Sequence, residues 1–229
     1  MRSNPAFSNP RLVYLHIPKT AGTSIREIIK SVYGTDATLW YTREKTSILH
    51  RAKTNRYSKK QVEGKLFVGG HKPRSFYPPD EPNLYFTTVR EPIERDKSWL
   101  SYHTRPAAAS SQRDFDIRHR LLRNWLAKGI DPDSIVNSIE RCAPFRRIIQ
   151  NQQCAYISRA GNSFDDALET IRSENFLVGS SNQVNNMIET MADIFDWPET
   201  PEIFGNKSRT GTNDDILSEV GAIELINQY

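Results

Sequence analysis

Short apolar runs broken by polar turns, each followed by apolar positions at helical spacing, recur along the chain. Leu12-Val13-Tyr14-Leu15-His16-Ile17 has the length and the β-branched or aromatic character of a buried strand. Pro18 to Ser24 interrupts it with a proline, a lysine, threonines, a glycine and a serine, after which Ile25, Ile28, Ile29 and Val32 return on one helix face. The pattern predicts strand, tight polar turn and amphipathic helix. Further strands are predicted over Ala37–Thr42, Leu66–His71, Leu84–Val89 and Phe176–Ser180, with a proline-rich loop (Pro73, Pro78, Pro79, Pro82) after the third strand. The run ending at Val89 passes directly into Arg90-Glu91-Pro92, with the proline placed to open a helix.

From Phe115 to Phe195 the spacing is largely helical, with apolar stripes at Leu121, Leu122, Trp125, Leu126 and at Ile135, Val136, Ile139. Met187, Met191, Ile194 and Phe195 mark a helix closed by Trp197-Pro198, and a last helix is predicted over Asp214–Asn227. Strands alternating with helices imply an α/β fold, a central parallel sheet flanked on both faces by helices.

Composition narrows the class. With 229 residues, 37% hydrophobic and 25% charged, and no Gly/Ser- or Pro-rich linker, the chain is expected to form a single domain over residues 1–229. No run approaches the roughly 18 apolar residues of a membrane helix, so no membrane span is expected. MRSNPAFSNP lacks an apolar stretch of signal-peptide type, which points to the cytoplasm. Cys142 and Cys154 have no zinc or disulfide spacing and read as reduced thiols. The net charge of +4 is modest, but Arg43 to Lys60 holds seven Lys/Arg against one Glu. That local field suits a polyanionic nucleotide, an anionic acceptor or nucleic acid, and equally an ordinary solvated polar face.

The turn after the first strand carries the chemistry. Backbone N–H groups at a helix start, with Gly22 allowing close approach, Thr20, Thr23 and Ser24 offering hydroxyls and Lys19 a point charge, form a ready anion site with phosphate as the expected guest. The lysine precedes the glycine, unlike the order of G-x-x-x-x-G-K-[ST]. HIPKTAGTS resembles the 5'-phosphosulfate-binding loop of sulfotransferases that use 3'-phosphoadenosine 5'-phosphosulfate, particularly the family that includes heparan and chondroitin sulfotransferases. VREPIERDKSWLSYH resembles that family's 3'-phosphate-binding element, which maps onto Arg90 and Ser98. The segment departs from its relatives at Asp96 and Lys97, where they carry apolar or aromatic residues, and in a tyrosine that stands farther off, at Tyr102.

The resemblance implies a three-layer P-loop-like fold and the donor as co-substrate, with Lys19, Thr20, Ala21, Gly22, Thr23 and Ser24 on its 5' end and Arg90 and Ser98 on its 3'-phosphate. A late basic loop, with Lys207, Ser208 and Arg209, has a counterpart at the nucleotide in relatives and equally suits a surface turn. Ile148 to Gly161 is similar to a segment close to nucleotide or acceptor. Lys19 would meet the charge on the departing phosphate, and His71, in a GH-x-P context like that of the catalytic histidine of the heparan 2-O-sulfotransferase type, would be the general base for a hydroxyl acceptor. His16 reads as a packed core histidine, and Glu91 and Glu94 as ion-pair partners of Arg90 or alternative bases. A small-molecule or carbohydrate acceptor, no nucleic acid and no metal are expected. A P-loop-like phosphotransferase would be expected to show a glycine-first loop and an aspartate for Mg2+, and no predicted strand ends in an aspartate; a non-catalytic nucleotide-binding module is the third alternative.

Overall fold

The computed structural model describes residues 10–41, 57–79, 81–104 and 150–197. They fall into two compact units, one built from residues up to Val89 together with those from Gln153 onward, the other from Arg90 to Gln152. The stripes at 121–139, most of the basic segment, Cys142, the late loop with Lys207, Ser208 and Arg209, and the predicted last helix lie outside the described residues.

The first unit is a five-stranded parallel sheet. β1 (Arg11–Leu15), β2 (Thr38–Tyr41), β3 (Phe67–Gly70), β4 (Asn83–Val89) and β5 (Phe176–Ser180) lie in the order β2-β3-β1-β4-β5. All four pairings are parallel, with Leu15 opposite Gly70 and Tyr14 opposite Phe86. β1 ends two residues earlier than its apolar run, because Ile17 N–H turns back onto the carbonyl of Leu15 (3.0 Å) as the chain bends toward Pro18.

Alternation along β1 sorts the core. Leu12 and Tyr14 pack with Ile25, Ile28 and Ile29 of α1 (Gly22–Tyr33). After α4 (Gln152–Ile157) and α5 (Phe164–Ser173), the helix α6 (Val184–Phe195) completes that layer with Val184, Met187, Ile188 and Met191, beside Phe67 and Phe86. Val13 and Leu15 face the other way, into Val68, Tyr77, Tyr85 and Val62 of the short α2 (Lys59–Val62). Helices thus cover both faces, the three-layer α/β fold the pattern predicts. Asp196, left-handed at φ 50°, closes α6 just before Trp197.

Topology selects one edge of this sheet. From β1 the chain runs to β2 and β3 on one side, then crosses to β4 and β5 on the other. At such a switch point, the crevice outside the strands' carboxyl ends is where open α/β sheets place ligands. The carboxyl ends of the neighbours β1 and β3 deliver the polar turn and His71 to that edge.

In the second unit α3 (Pro92–Thr104) opens with Pro92, and the Glu91 carboxylate accepts from the N–H groups of Ile93 (3.1 Å) and Glu94 (2.7 Å). Glu91 therefore caps the helix, a position that suits a carboxylate and the positive end of the dipole.

Candidate functional site

The turn between β1 and α1 is made of backbone conformations that most side chains avoid. Lys19 (φ 72°) and Ala21 (φ 68°) are both left-handed, and from Gly22 onward the backbone is helical. Alternating left- and right-handed residues turn successive N–H groups toward one point, the concave nest that binds anions. Ala21 stands at the N-cap with no side-chain cap bond, and the Ser24 N–H turns back onto the Ala21 carbonyl (3.1 Å) in place of one. Left-handed non-glycine residues such as these two carry backbone strain, which clusters at ligand-binding sites.

Beneath the turn lies a buried hydroxyl network. Thr88, fully buried on β4, donates to the carbonyl of Thr20 (2.5 Å) and contacts the Tyr14 hydroxyl (3.0 Å). Its neighbour Thr87 donates to the carbonyl of Leu15 (2.7 Å). Thr20 is itself fully buried and spends its hydroxyl proton on the carbonyl of Ile17 (2.9 Å). Its side chain shapes the turn from below, which leaves its backbone N–H as its means of meeting an anion. Thr23 is exposed, and Lys19 and Ser24 are half-buried.

His71 follows Gly70, whose φ of +141° and close approach to β2 admit no side chain: a Cβ there would lie 2.4 Å from the carbonyl oxygen of Tyr41. The His71 ring is exposed, and its Nδ1 lies 2.9 Å from the carbonyl oxygen of His16. A carbonyl only accepts, so Nδ1 carries the proton, and in the neutral ring Nε2 carries the lone pair. The two imidazoles stack with centroids 4.0 Å apart and planes 26° from parallel. Burial, aided by His71 and Arg26, holds the His16 imidazole down to about 2, so it stays neutral and its enclosed Nδ1 has no hydrogen-bond partner. Of the pair, His71 is the one whose ring faces solvent.

In the second unit, Arg90 reaches Glu94 at 3.7 Å, one turn into α3. Ser98 is half-buried two turns along. Asp96 is not a stray polar residue. It is buried and paired with Arg95, which also donates to Gln152. Desolvation nevertheless pushes the Asp96 carboxyl up to about 6.

Residues 7–154, more than half of the chain, match the family model described as Sulfotransferase family. The chain belongs to the sulfotransferase family. No curated protein matches it. The matched stretch includes the β1–α1 turn, His71, Arg90 and Ser98. It is accordingly a transferase of the class that moves sulfuryl groups. Among the described residues no helix is long and apolar enough to cross a membrane.

Of the residues singled out in the sequence, this sulfotransferase brings Lys19 to Ser24 and His71 to adjoining strand ends, while Arg90 and Ser98 belong to the other unit. Glu91 and Glu94 hold the start of α3 and Arg90. Sequence reasoning passed over Thr87 and Thr88. Their signal was present in the chain: two hydroxyls at the end of an otherwise apolar strand must find partners once buried.

Proposed function

We propose that the protein transfers a sulfuryl group from 3'-phosphoadenosine 5'-phosphosulfate to a hydroxyl acceptor, a carbohydrate among the classes that fit, and releases the 3',5'-bisphosphate. The observation that carries this reading is an uncapped, left-handed nest at the start of α1, beside an imidazole whose Nδ1 proton is committed to a backbone carbonyl. In the turn, the N–H groups of residues 19–23 and the Thr23 and Ser24 hydroxyls take the 5'-phosphosulfate. The acceptor oxygen attacks sulfur, its proton passes to His71 Nε2, the S–O bond to the phosphate breaks, and Lys19 meets the charge left on the phosphate oxygen. Arg90 and Ser98 take the 3'-phosphate, and Lys207, Ser208 and Arg209 add further donors to the nucleotide. The whole chain, residues 1–229, serves as one sulfotransferase domain, and no metal takes part in the step.

Calorimetry tests the donor. The 3',5'-bisphosphate is expected to bind more tightly than AMP or ATP, and Arg90→Ala to erase most of that preference. Equal affinity for the bisphosphate and AMP, or discrimination intact in Arg90→Ala, would remove the donor assignment.

A further inference from the structure

Arg26 is a cation at the edge of the site that the transfer chemistry does not use. It stands one turn along α1 from Gly22, and residues four apart share a helix face. Helical side chains lean toward the N-terminus, so its stem runs back toward the polar turn. The guanidinium carbon lies 5.3 Å from the centre of the Trp40 ring, near the end of β2. Trp40 in turn reaches across β3: a Cβ on Gly69 would fall 2.8 Å from its Cζ3, and its ring centre is 5.8 Å from that of His16. All of these residues belong to the first unit.

We propose that Arg26, seated on Trp40, binds a carboxylate of the acceptor, so that the substrate is a hydroxy acid and not a neutral alcohol or sugar. The inference rests on the reading of the turn as the donor side of the site and of His71 as the base.

Three observations support it. The first is unmet charge. Glu27, the neighbour of Arg26 in the chain, is engaged with Lys30 at 3.4 Å, and among the described residues no carboxylate pairs with Arg26. Its Nε is buried without a hydrogen-bond partner, as is the Nδ1 of His16 in the same cluster. Buried donors are normally satisfied, and an arginine held this way gains most from an arriving anion. The second is orientation. A guanidinium resting on an indole face has its plane set by the ring, and its forked edge matches the two oxygens of a carboxylate. The third is place. The order β2-β3-β1 sets Trp40, His71 and the turn at three adjacent strand ends, with the base in the middle. Two strand spacings span roughly 10 Å, enough for a small hydroxy acid to reach from the base to Arg26 with its hydroxyl toward the donor.

The test uses glucuronate and glucose, which differ by a carboxylate at one carbon, each titrated into the full chain with and without saturating 3',5'-bisphosphate. Glucuronate is expected to shift the 15N–1H signal of Arg26 Nε, identified by its loss in Arg26→Lys, and glucose to leave it in place. Arg26→Gln should weaken glucuronate binding about 10- to 100-fold, the range of a charged hydrogen bond, and Arg26→Lys by less. Lys30→Gln, one turn farther along α1, should weaken it less than about twofold, because an exposed charge acts only through a screened field. Affinity for 3'-phosphoadenosine 5'-phosphosulfate should be unchanged in Arg26→Gln. Equal binding of glucuronate and glucose to the wild type, or as large a loss in Lys30→Gln, would overturn the proposal. So would an Arg26→Gln loss confined to the phosphosulfate, which would move Arg26 to the transferring sulfuryl group. Should Arg26→Gln fail to fold, the wild-type titration and Arg26→Lys decide. Failure of the bisphosphate to bind would instead remove the donor reading, and titration of the unliganded chain would still decide the role of Arg26.

Discussion

His16 shows how burial chooses between two chemically identical side chains. Its imidazole and that of His71 touch, yet one is held to about 2 by desolvation and the other faces solvent. The depressed value has a consequence for stability. Unfolded, His16 takes up a proton near 6.5, whereas the native state refuses it down to about 2, so the unfolded chain binds more protons throughout that window. The contribution of His16 is therefore complete above 6.5 and is lost as pH falls below it, at roughly 1.4 kcal/mol per pH unit. Between pH 6.5 and 4.5 that amounts to roughly 3 kcal/mol. Urea melts at pH 7 and 4.5 should show His16→Gln losing less stability on acidification than the wild type. Equal acid losses would mean that the ring is solvated in the native state.

At the scale of elements, the segment that carries His71 is held by an anchor three residues downstream. Arg74, 2% exposed, forms a two-pronged pair with Glu174 (2.5 and 2.9 Å), donates to the carbonyl of Tyr77 (2.8 Å) and lies over the Tyr85 ring (4.1 Å). This ties the 3-10 turn Arg74–Phe76 to the start of β5 across the sheet. Removing one partner of a buried pair leaves the other charge stranded, which costs about 3–5 kcal/mol. Arg159, 3.5 Å from Glu174 and half exposed, partly compensates, so Arg74→Leu is expected near the lower end, about 3 kcal/mol, in denaturant unfolding. A loss below about 1 kcal/mol would show that the pair gives no more than a surface bridge.

At the scale of the molecule, the parallel order β2-β3-β1-β4-β5 brings the polar turn and His71 to one edge although Lys19 and His71 stand 52 positions apart in the chain. The positive charge is distributed unevenly as well. Arg43 to Lys60 carries seven Lys/Arg, of which Lys59 and Lys60 are exposed on α2. Neutralising Lys53, Arg56, Lys59 and Lys60 together is expected to raise Km for an anionic acceptor and to flatten its salt dependence, since exposed charges act through a field that salt screens. Steady-state kinetics across a salt series checks this. Unchanged Km and salt response would leave the segment as a solvated face.

Local order was legible in the chain. Apolar periodicity gave β1, α1, β4, β5 and α6 to within a few residues, because each buries one face and repeats at its own period. The character of the turn was equally visible, since a lysine, a glycine and hydroxyls before an amphipathic helix have few other uses. What the chain alone could not express were the contacts made across it. Thr20 reads as a phosphate ligand until Thr88 and Ile17 draw it under the turn. Asp96 reads as a departure until it is seen paired with Arg95. The GH-x-P context separates His71 from His16 in the chain by resemblance, but the physical reason lies in the packing: burial keeps the His16 imidazole neutral, while the His71 ring stacked on it faces solvent.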